Sequence, residues 1–206
     1  HRITTGLSIG IALHAPDARK LSPQALIKRA DTALYRAKRS GKCSFQSFTD
    51  ELDRESRDRY QFDLEVGSAR GQGELEAYYQ PIVDPYSQSL HSIEMLIRWQ
   101  HRERGVLLPD AFLPAMSRLG ILEANCMHVL HAALDQYRRW RDSGLGAVRL
   151  AFNVDARELD RPDYAEQLEV MLAATGVDPR SLQLELTEHI LLGESGAVAA
   201  NLARLK

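Results

Sequence analysis

Residues 93–99 read Ile-Glu-Met-Leu-Ile-Arg-Trp, and the segments 150–155 (Leu-Ala-Phe-Asn-Val-Asp) and 182–188 (Leu-Gln-Leu-Glu-Leu-Thr-Glu) share their character. Because side chains alternate between the two faces of a strand, each segment predicts a strand with one apolar face and polar groups on the other. Amphipathic, helix-like sequence at 122–140 and 164–175 separates the three segments. This alternation of strand and helix predicts an α/β fold with a parallel sheet or barrel.

The 206-residue composition is that of a globular protein, with 44% hydrophobic and 26% charged residues and a net charge of -2. It excludes a disordered chain, a collagen-like fibre and a disulfide scaffold, and it offers no basic excess for DNA or RNA. The cysteines, Cys43 and Cys126, have no CxxC spacing and are expected to be buried free thiols. Without a signal peptide or a membrane-length apolar run, we expect a cytoplasmic location.

The chain divides into three predicted parts. Residues 1–50 read as strand, helix and strand, with the helix beginning at Ser22-Pro23 and ending before Gly41, and resemble the end of an α/β domain. Residues 51–73 read as a charged connecting helix, and residues 74–206 as the next domain. Both ends are expected to be cuts, since there is no initiator Met and the last residues read as an unfinished helix.

The domain at 74–206 begins with two strands, 76–83 and 91–99, joined by a short turn-rich connection. A connection this short predicts an antiparallel hairpin, because parallel neighbours need a longer crossover. A Pro/Gly-rich loop is expected after the second strand.

The candidate site consists of Glu94, Asn153 and Glu185, which lie at or near the C-terminal ends of three successive strands. In a (β/α) barrel those ends form one face, so the three side chains could converge on a hard cation. Oxygen ligands of this type suit Mg²⁺ or Mn²⁺.

Each residue also has a structural interpretation. Glu94 with Arg98 would suit an exposed cross-strand charge pattern, Asn153 a strand-end hydrogen bond, and Glu185 with Glu188 a solvated strand exit. Their recurrence at equivalent strand ends favours the cation site. By contrast, His128 and His131 lack a third ligand and are interpreted as solvent-facing or core histidines.

Five ordered motifs give the chain a resemblance to the EAL domain, a bacterial cyclic di-GMP phosphodiesterase family. They are Tyr79-Gln80-Pro81-Ile82, Glu94 to Trp99, Pro109 with Phe112, Phe152-Asn153-Val154, and Glu185-Leu186-Thr187-Glu188. Upstream, Ser8 to Ala12 and Ala30 to Lys38 with Gly41-Lys42 resemble the last third of a GGDEF domain, the diguanylate cyclase fold. The resemblance implies the C-terminal part of a GGDEF domain followed by the first half of an EAL-type (β/α)8 TIM-like barrel with an antiparallel first strand.

The resemblance implies hydrolysis of cyclic di-GMP to linear pGpG by metal-activated water, with Mg²⁺ or Mn²⁺. It assigns the metal to Glu94, Asn153 and Glu185, the dinucleotide to Gln80 and Arg98, and the ordering of a catalytic loop to Glu188. Glu94 and Glu188 are thus the catalytic assignments. The resemblance alone implies a homodimer, and sensory domains or a membrane anchor would precede His1.

The sequence also departs from the family pattern. Met95 replaces the alanine of the name-giving triplet, Asp155 stands where serine is usual, and the chain stops before the Asp-Asp-Phe-Gly stretch, the lysine and the base glutamate. The fragment alone is therefore expected to be inactive. The main alternative is a degenerate EAL receptor that binds cyclic di-GMP without hydrolysis and signals to a partner, and the third is a structural or regulatory module that binds no nucleotide.

Overall fold

The computed structural model describes residues 5–14, 21–41, 43–186 and 196–206. The chain folds into two compact units, His1–Glu65 and Val66–Lys206. Within the described residues, no helix is long and apolar enough to cross a membrane.

The first unit is built on a strand-helix-strand arrangement: β1 (Ile9–Ile11), α1 (Pro23–Arg39) and β2 (Phe45–Ser47). The two strands pair in parallel, and both contact the helix that connects them. The predicted helix start is confirmed, because Ser22 Oγ accepts a hydrogen bond from the Ala25 amide at 3.2 Å. Helix α2 (Asp50–Ser68) follows and continues past the end of the unit.

Helix α1 lies so close to β1 that only glycine fits at position 10. A Cβ on Gly10 would come within 2.1 Å of the Ala30 carbonyl oxygen and 2.2 Å of the Leu34 amide nitrogen. This close approach explains the small residue in the middle of an otherwise bulky strand sequence.

The second unit contains a five-stranded sheet with helices against it. The strands are β3 (Leu75–Val83), β4 (Leu90–His101), β5 (Gly105–Leu107), β6 (Arg149–Val154) and β7 (Leu182–Leu186). The helices are α3 (Pro109–Arg118), α4 (Leu122–Asp142), α5 (Ala156–Leu159), α6 (Tyr164–Thr175) and α7 (Gly196–Leu205), with a 3₁₀ turn at Pro179–Ser181. The strand order is β3-β4-β6-β7, and β5 pairs with β4.

The register of the sheet places the polar positions on one face. Strand β3 runs antiparallel to β4 with Gln80 opposite Glu94, whereas β4, β6 and β7 are parallel. Glu94 pairs with Ala151, and Asn153, two residues further along β6, pairs with Glu185. Because directly paired residues, and residues two apart, point to the same side, all these side chains share one face.

The opposite face of the sheet forms the core with the helices. Its largest fully buried side chains include Trp99, Phe112 and Leu150. The Trp99 and Phe112 rings meet edge to face with centroids 5.9 Å apart, and Trp99 Nε1 donates to Glu74 Oε2 at 3.0 Å. Burial of such aromatic side chains is the main source of stability in a unit of this size.

The expectation of a loop after the second hairpin strand is wrong. Strand β5 and helix α3 occupy this segment, with Pro109 at the first helical position and Pro114 inside the helix. Pro109 fits because the first turn of a helix has no internal partner for its N–H groups.

The expectation for the cysteines is only partly correct. Both are free, but Cys43 is exposed and Cys126 is only half-buried. It lies in the turn before β2 with a positive φ of 70°, a backbone position on the surface rather than in the core. His128 and His131 are exposed on α4, and His131 Nδ1 lies 3.6 Å from Asp135 Oδ2.

Candidate functional site

The polar face of the sheet brings together Glu94 and Asn153 from neighbouring strands. Asn153 Nδ2 donates a hydrogen bond to Glu94 Oε1 at 2.9 Å. Glu94 is half-buried and Asn153 is exposed. The contact follows from the parallel register, because Asn153 is two residues beyond the position that pairs with Glu94.

Glu185 is the third member of this group. It is directly opposite Asn153 in the β6-β7 ladder and is half-buried. Gln183 Nε2 lies 3.5 Å from Glu185 Oε1 on the same strand. Neighbouring strands are about 4.8 Å apart, so β6 places its carboxamide between the carboxylates of β4 and β7.

The chemistry of this group fits a hard divalent cation. Glu94 and Glu185 supply carboxylate oxygens and Asn153 supplies a carboxamide oxygen, the ligand type that Mg²⁺ and Mn²⁺ prefer. Within the described part of the chain, no three His, Cys, Asp or Glu side chains lie together as a metal-binding cluster.

The predicted nucleotide-binding residues lie on the same face. Gln80 is directly opposite Glu94, and Arg98 is opposite Glu76. The Arg98 guanidinium donates to the Ile97 carbonyl oxygen at 2.9 Å, and its Cζ is 5.9 Å from the centroid of the Tyr78 ring. A planar cation next to an exposed aromatic ring can take up both a phosphate and a base.

Sequence reasoning missed the polar residues that surround Arg98. Gln100 Nε2 donates to Tyr78 Oη at 2.6 Å and to Glu76 Oε2 at 3.2 Å. The signal was present, because the alternation that places Gln80 on this face also places Tyr78 and Glu76 there.

Glu188, the remaining predicted site residue, lies outside the described residues, as does Thr187.

Asp155 does not continue the polar face as its position in the sequence suggests. Strand β6 ends at Val154, and Asp155 caps helix α5 by accepting from the Arg157 amide at 2.9 Å. The Arg157 guanidinium binds both Asp155 oxygens, with Nε at 2.8 Å from Oδ1 and Nη2 at 3.0 Å from Oδ2. The Arg157 hydrogen bond holds the pKa of Asp155 below its usual range.

Glu158 completes a capping box that sequence reasoning also missed. Its Oε2 accepts from the Asp155 amide at 2.9 Å, and its side chain is buried beside the end of β6. Burial raises its pKa to about 7. The spacing Asp155-x-x-Glu158 is the signal that predicts this box.

The opposite face of the sheet carries a separate apolar groove of about 470 Å³, lined by residues that include Tyr79, Ile93 and Trp140. The Tyr79 and Trp140 rings meet edge to face at 4.6 Å. None of the predicted site residues that the structure describes lines this groove, because alternation turns Gln80, Glu94, Arg98, Asn153 and Glu185 to the other face.

Comparison with known families places most of the chain in one family. The EAL domain family matches residues 64–206. The chain belongs to the EAL domain family. Its second unit, Val66–Lys206, is thus an EAL domain segment with a mixed α/β fold.

Curated relatives of this EAL chain match nearly all of it. An uncharacterized signaling protein of Caulobacter vibrioides is 32% identical over 99% of the chain and 24% of its own length. The cyclic di-GMP phosphodiesterase PdeR of Escherichia coli is 31% identical over 92% of the chain and 28% of its own length. The bifunctional diguanylate cyclase/cyclic di-GMP phosphodiesterase MucR of Pseudomonas aeruginosa is 27% identical over the whole chain and 30% of its own length. The EAL chain thus spans 24% to 30% of the length of these relatives.

Solved EAL structures share the fold. The PaMucR phosphodiesterase in complex with cyclic di-GMP superposes with a TM-score of 0.67 at 27% identity, covering 70% of this chain and 59% of that one. The EAL domain of Xanthomonas citri FimX, also in complex with cyclic di-GMP, has a TM-score of 0.62 at 18% identity, covering 74% of this chain and 59% of that one.

Proposed function

We propose that the protein containing this EAL chain is a cyclic di-GMP phosphodiesterase that hydrolyses the dinucleotide to linear pGpG. The observation that carries the proposal is the single polar face on which Glu94, Asn153 and Glu185 lie beside Gln80 and Arg98. The names of the relatives PdeR and MucR support the same substrate.

Glu94, Asn153 and Glu185 hold the divalent cation, Mg²⁺ or Mn²⁺, in this proposal. When bound, such an ion polarises phosphate oxygens and activates water for attack on phosphorus. The hydrogen bond from Asn153 to Glu94 supports this assignment, because it orients the two side chains toward one point before any ligand binds.

Arg98 and Gln80 bind the substrate. The Arg98 guanidinium presents a planar fork of N–H donors, which suits the oxygens of a phosphodiester. Its position beside the Tyr78 ring supports this role, since a base can stack where the phosphate is held. Gln80, opposite Glu94, provides an amide that can donate to and accept from the dinucleotide next to the cation. Glu188 orders the catalytic loop, a role that rests on the resemblance alone.

The proposed organisation of the chain follows the same family. Residues 1–50 form the C-terminal part of a GGDEF domain, residues 51–73 connect, and residues 74–206 form the first half of the (β/α)8 barrel, with β3 as its antiparallel first strand. The parallel β1-α1-β2 arrangement and the match of MucR to the whole chain support this division. The protein acts in the cytoplasm or on the cytoplasmic side of a membrane, as a homodimer controlled by sensory domains upstream.

Chromatographic detection of pGpG tests the proposal. The full-length protein containing this chain is incubated with cyclic di-GMP and Mg²⁺ or Mn²⁺, alongside Glu94→Gln and the matched surface variant Glu103→Gln. We expect pGpG from the wild type and Glu103→Gln, and none from Glu94→Gln, because glutamine keeps the shape of the side chain but removes the anionic ligand. Equal turnover in Glu94→Gln would refute the metal assignment. Binding of cyclic di-GMP with no pGpG from the wild type would make the protein a receptor, and no binding at all would leave a structural or regulatory module.

A further inference from the structure

Glu158 stands out as a buried carboxyl next to the candidate site. Glu158 is 5% exposed, and among the residues that the structure describes it is the only buried Asp or Glu. A carboxyl is rarely buried unless a specific partner holds it. Here that partner is the Asp155 amide, which donates to Oε2 at 2.9 Å.

The hydrogen bond fixes the point at which β6 turns into α5. Asp155 follows the strand directly, with extended backbone angles of φ -80° and ψ 149°, and its C=O accepts from the Glu158 amide at 3.0 Å. Two hydrogen bonds therefore link Asp155 and Glu158, one between their backbone groups and one from the Asp155 amide to the Glu158 side chain. The Asp155 side chain is held separately by Arg157, which also reaches Ser117 Oγ at the end of α3.

This turn lies two residues beyond Asn153. Val154, between them, is buried and pairs with Leu186 in the β6-β7 ladder. A shift of the Asp155 amide would therefore pass along a short, packed backbone segment to Asn153. The direction of the Asn153 carboxamide depends on that backbone, since its own side chain is exposed and its hydrogen bond is to Glu94.

We propose that Glu158 is a positioning residue of the cation site, holding the end of strand β6 so that Asn153 directs its carboxamide oxygen between Glu94 and Glu185. This inference rests on the proposed function, because it presupposes that these three residues bind a divalent cation. It assigns a role to a residue that does not touch the cation itself. Removing a residue that orients a metal ligand without touching the metal commonly weakens metal affinity by about 10- to 100-fold.

The surroundings of Glu158 make its hold sensitive to protonation. Burial is the main cause of its raised pKa of about 7, and the carboxylates of Asp155 and Glu123 add to it, whereas the Asp155 amide and Arg157 oppose it. Two further titratable groups, the Cys126 thiol on α4 and the Tyr164 hydroxyl on α6, have raised pKa values and interact with Glu158 electrostatically. A carboxylate accepts a stronger hydrogen bond than a neutral carboxyl. Glu158 therefore holds the turn more firmly above neutral pH than below it.

A titration with Mn²⁺ alone tests the inference without any measurement of turnover. Isothermal titration calorimetry gives the Kd for Mn²⁺ of the full-length protein that contains this chain, as the wild type and as Glu158→Leu, Glu158→Gln and Glu166→Gln. Glu166→Gln is the matched control, because Glu166 is an exposed glutamate on α6. We expect Glu158→Leu to weaken Mn²⁺ binding about 10- to 100-fold, and Glu166→Gln to leave it unchanged.

The neutral variant Glu158→Gln distinguishes an effect of Glu158 on the position of Asn153 from a general effect on folding. Glutamine keeps an acceptor for the Asp155 amide but carries no charge at any pH. We expect its Kd to match that of the wild type at pH 6 and to be several-fold weaker at pH 8.5, where wild-type Glu158 is ionised. If Glu158→Leu fails to fold, this pH profile decides the question.

Amide hydrogen exchange of Asp155 gives a readout that is independent of the metal. We expect faster exchange at Asp155 in Glu158→Leu than in wild type, with unchanged exchange in the β3-β4 hairpin. Wild-type-like Mn²⁺ affinity in Glu158→Leu, or a pH profile of Glu158→Gln parallel to that of the wild type, would overturn the inference alone. If the full-length wild-type protein does not bind Mn²⁺ with Glu94 intact, the cation site of the proposed function is refuted, and this inference is refuted with it.

Discussion

Asn153 Nδ2 donates to Glu94 Oε1 at 2.9 Å across 59 residues of sequence. The two residues belong to neighbouring parallel strands, and the side chains meet because the ladder offsets them by two positions. The contact joins two of the three predicted cation ligands and leaves the amide oxygen of Asn153 to act as the donor atom.

Replacing Asn153 with alanine should weaken cation binding without unfolding the chain. The substitution removes one of three oxygen donors, so we expect the Kd for Mn²⁺ to rise at least about tenfold. Because Asn153 is exposed, the free energy of unfolding should change by no more than about 0.5 kcal/mol. Calorimetry with Mn²⁺ and urea denaturation measure the two quantities. An unchanged Kd would remove Asn153 from the ligand set.

Arg98→Ala should weaken binding of cyclic di-GMP while leaving Mn²⁺ binding intact. A charge-assisted hydrogen bond contributes about 1.5–3 kcal/mol, so we expect a loss of roughly 10- to 100-fold in dinucleotide affinity. Arg98→Lys should recover only part of it, because an ammonium group lacks the planar fork. Titration of the full-length protein with cyclic di-GMP, in the presence of Ca²⁺ to prevent turnover, measures the affinities.

Arg102→Ala is the matched control for Arg98. Arg102 is an exposed arginine whose Nε is 2.7 Å from Glu74 Oε1, next to the same strand. If its removal lowers the dinucleotide affinity as much as Arg98→Ala does, the effect is one of general charge, and Arg98 has no specific role.

The sequence predicts the strands of the second unit well and their helical surroundings less well. Period-two alternation marks β4, β6 and β7, and strand-end reasoning places Glu94 and Asn153 together, as the hydrogen bond between them confirms. Helix α3 was missed because Pro109, Pro114 and the nearby glycines read as loop signals, although a helix accepts proline in its first turn.

The position of Asp155 shows why strand alternation did not predict the remaining polar residues near the site. Alternation alone places Asp155 on the same face as Asn153, but the strand ends one residue earlier and the side chain turns to Arg157 instead. The Asp155-x-x-Glu158 spacing signals a helix cap, but strand alternation favours continuing β6, and a helix of only four residues has no periodic pattern that decides between the two. The raised pKa of Glu158 also depends on Glu123 of α4, which is distant in sequence.

The raised pKa of Glu158 predicts that the stability of the second unit depends on pH. The folded protein holds this proton up to a pKa of about 7, whereas the ordinary pKa of a glutamate, as in the unfolded chain, is 4.5. The favourable contribution is therefore complete below pH 4.5 and is lost as the pH rises through 7. Between pH 5 and pH 8 the loss is on the order of 2–3 kcal/mol. Urea denaturation of the wild type and Glu158→Gln at pH 5 and pH 8 measures it. The difference in unfolding free energy between the two pH values should shrink in Glu158→Gln, and an equal difference in both proteins would contradict the assignment.

Tyr137→Phe should destabilise the second unit through the strand that carries Asn153. The Tyr137 hydroxyl donates to the Val148 carbonyl oxygen just before β6, and Arg141 Nη1 donates to the same hydroxyl at 3.3 Å. Tyr137 is 1% exposed and Val148 is 9% exposed, so the carbonyl has little access to water. Leaving a buried acceptor without its donor costs about 1–3 kcal/mol. Urea denaturation of Tyr137→Phe, compared with Tyr86→Phe in the hairpin turn, where the side chain is 96% exposed, measures this cost. Equal unfolding free energies in the two variants would mean that the Tyr137 hydroxyl does not anchor the start of β6.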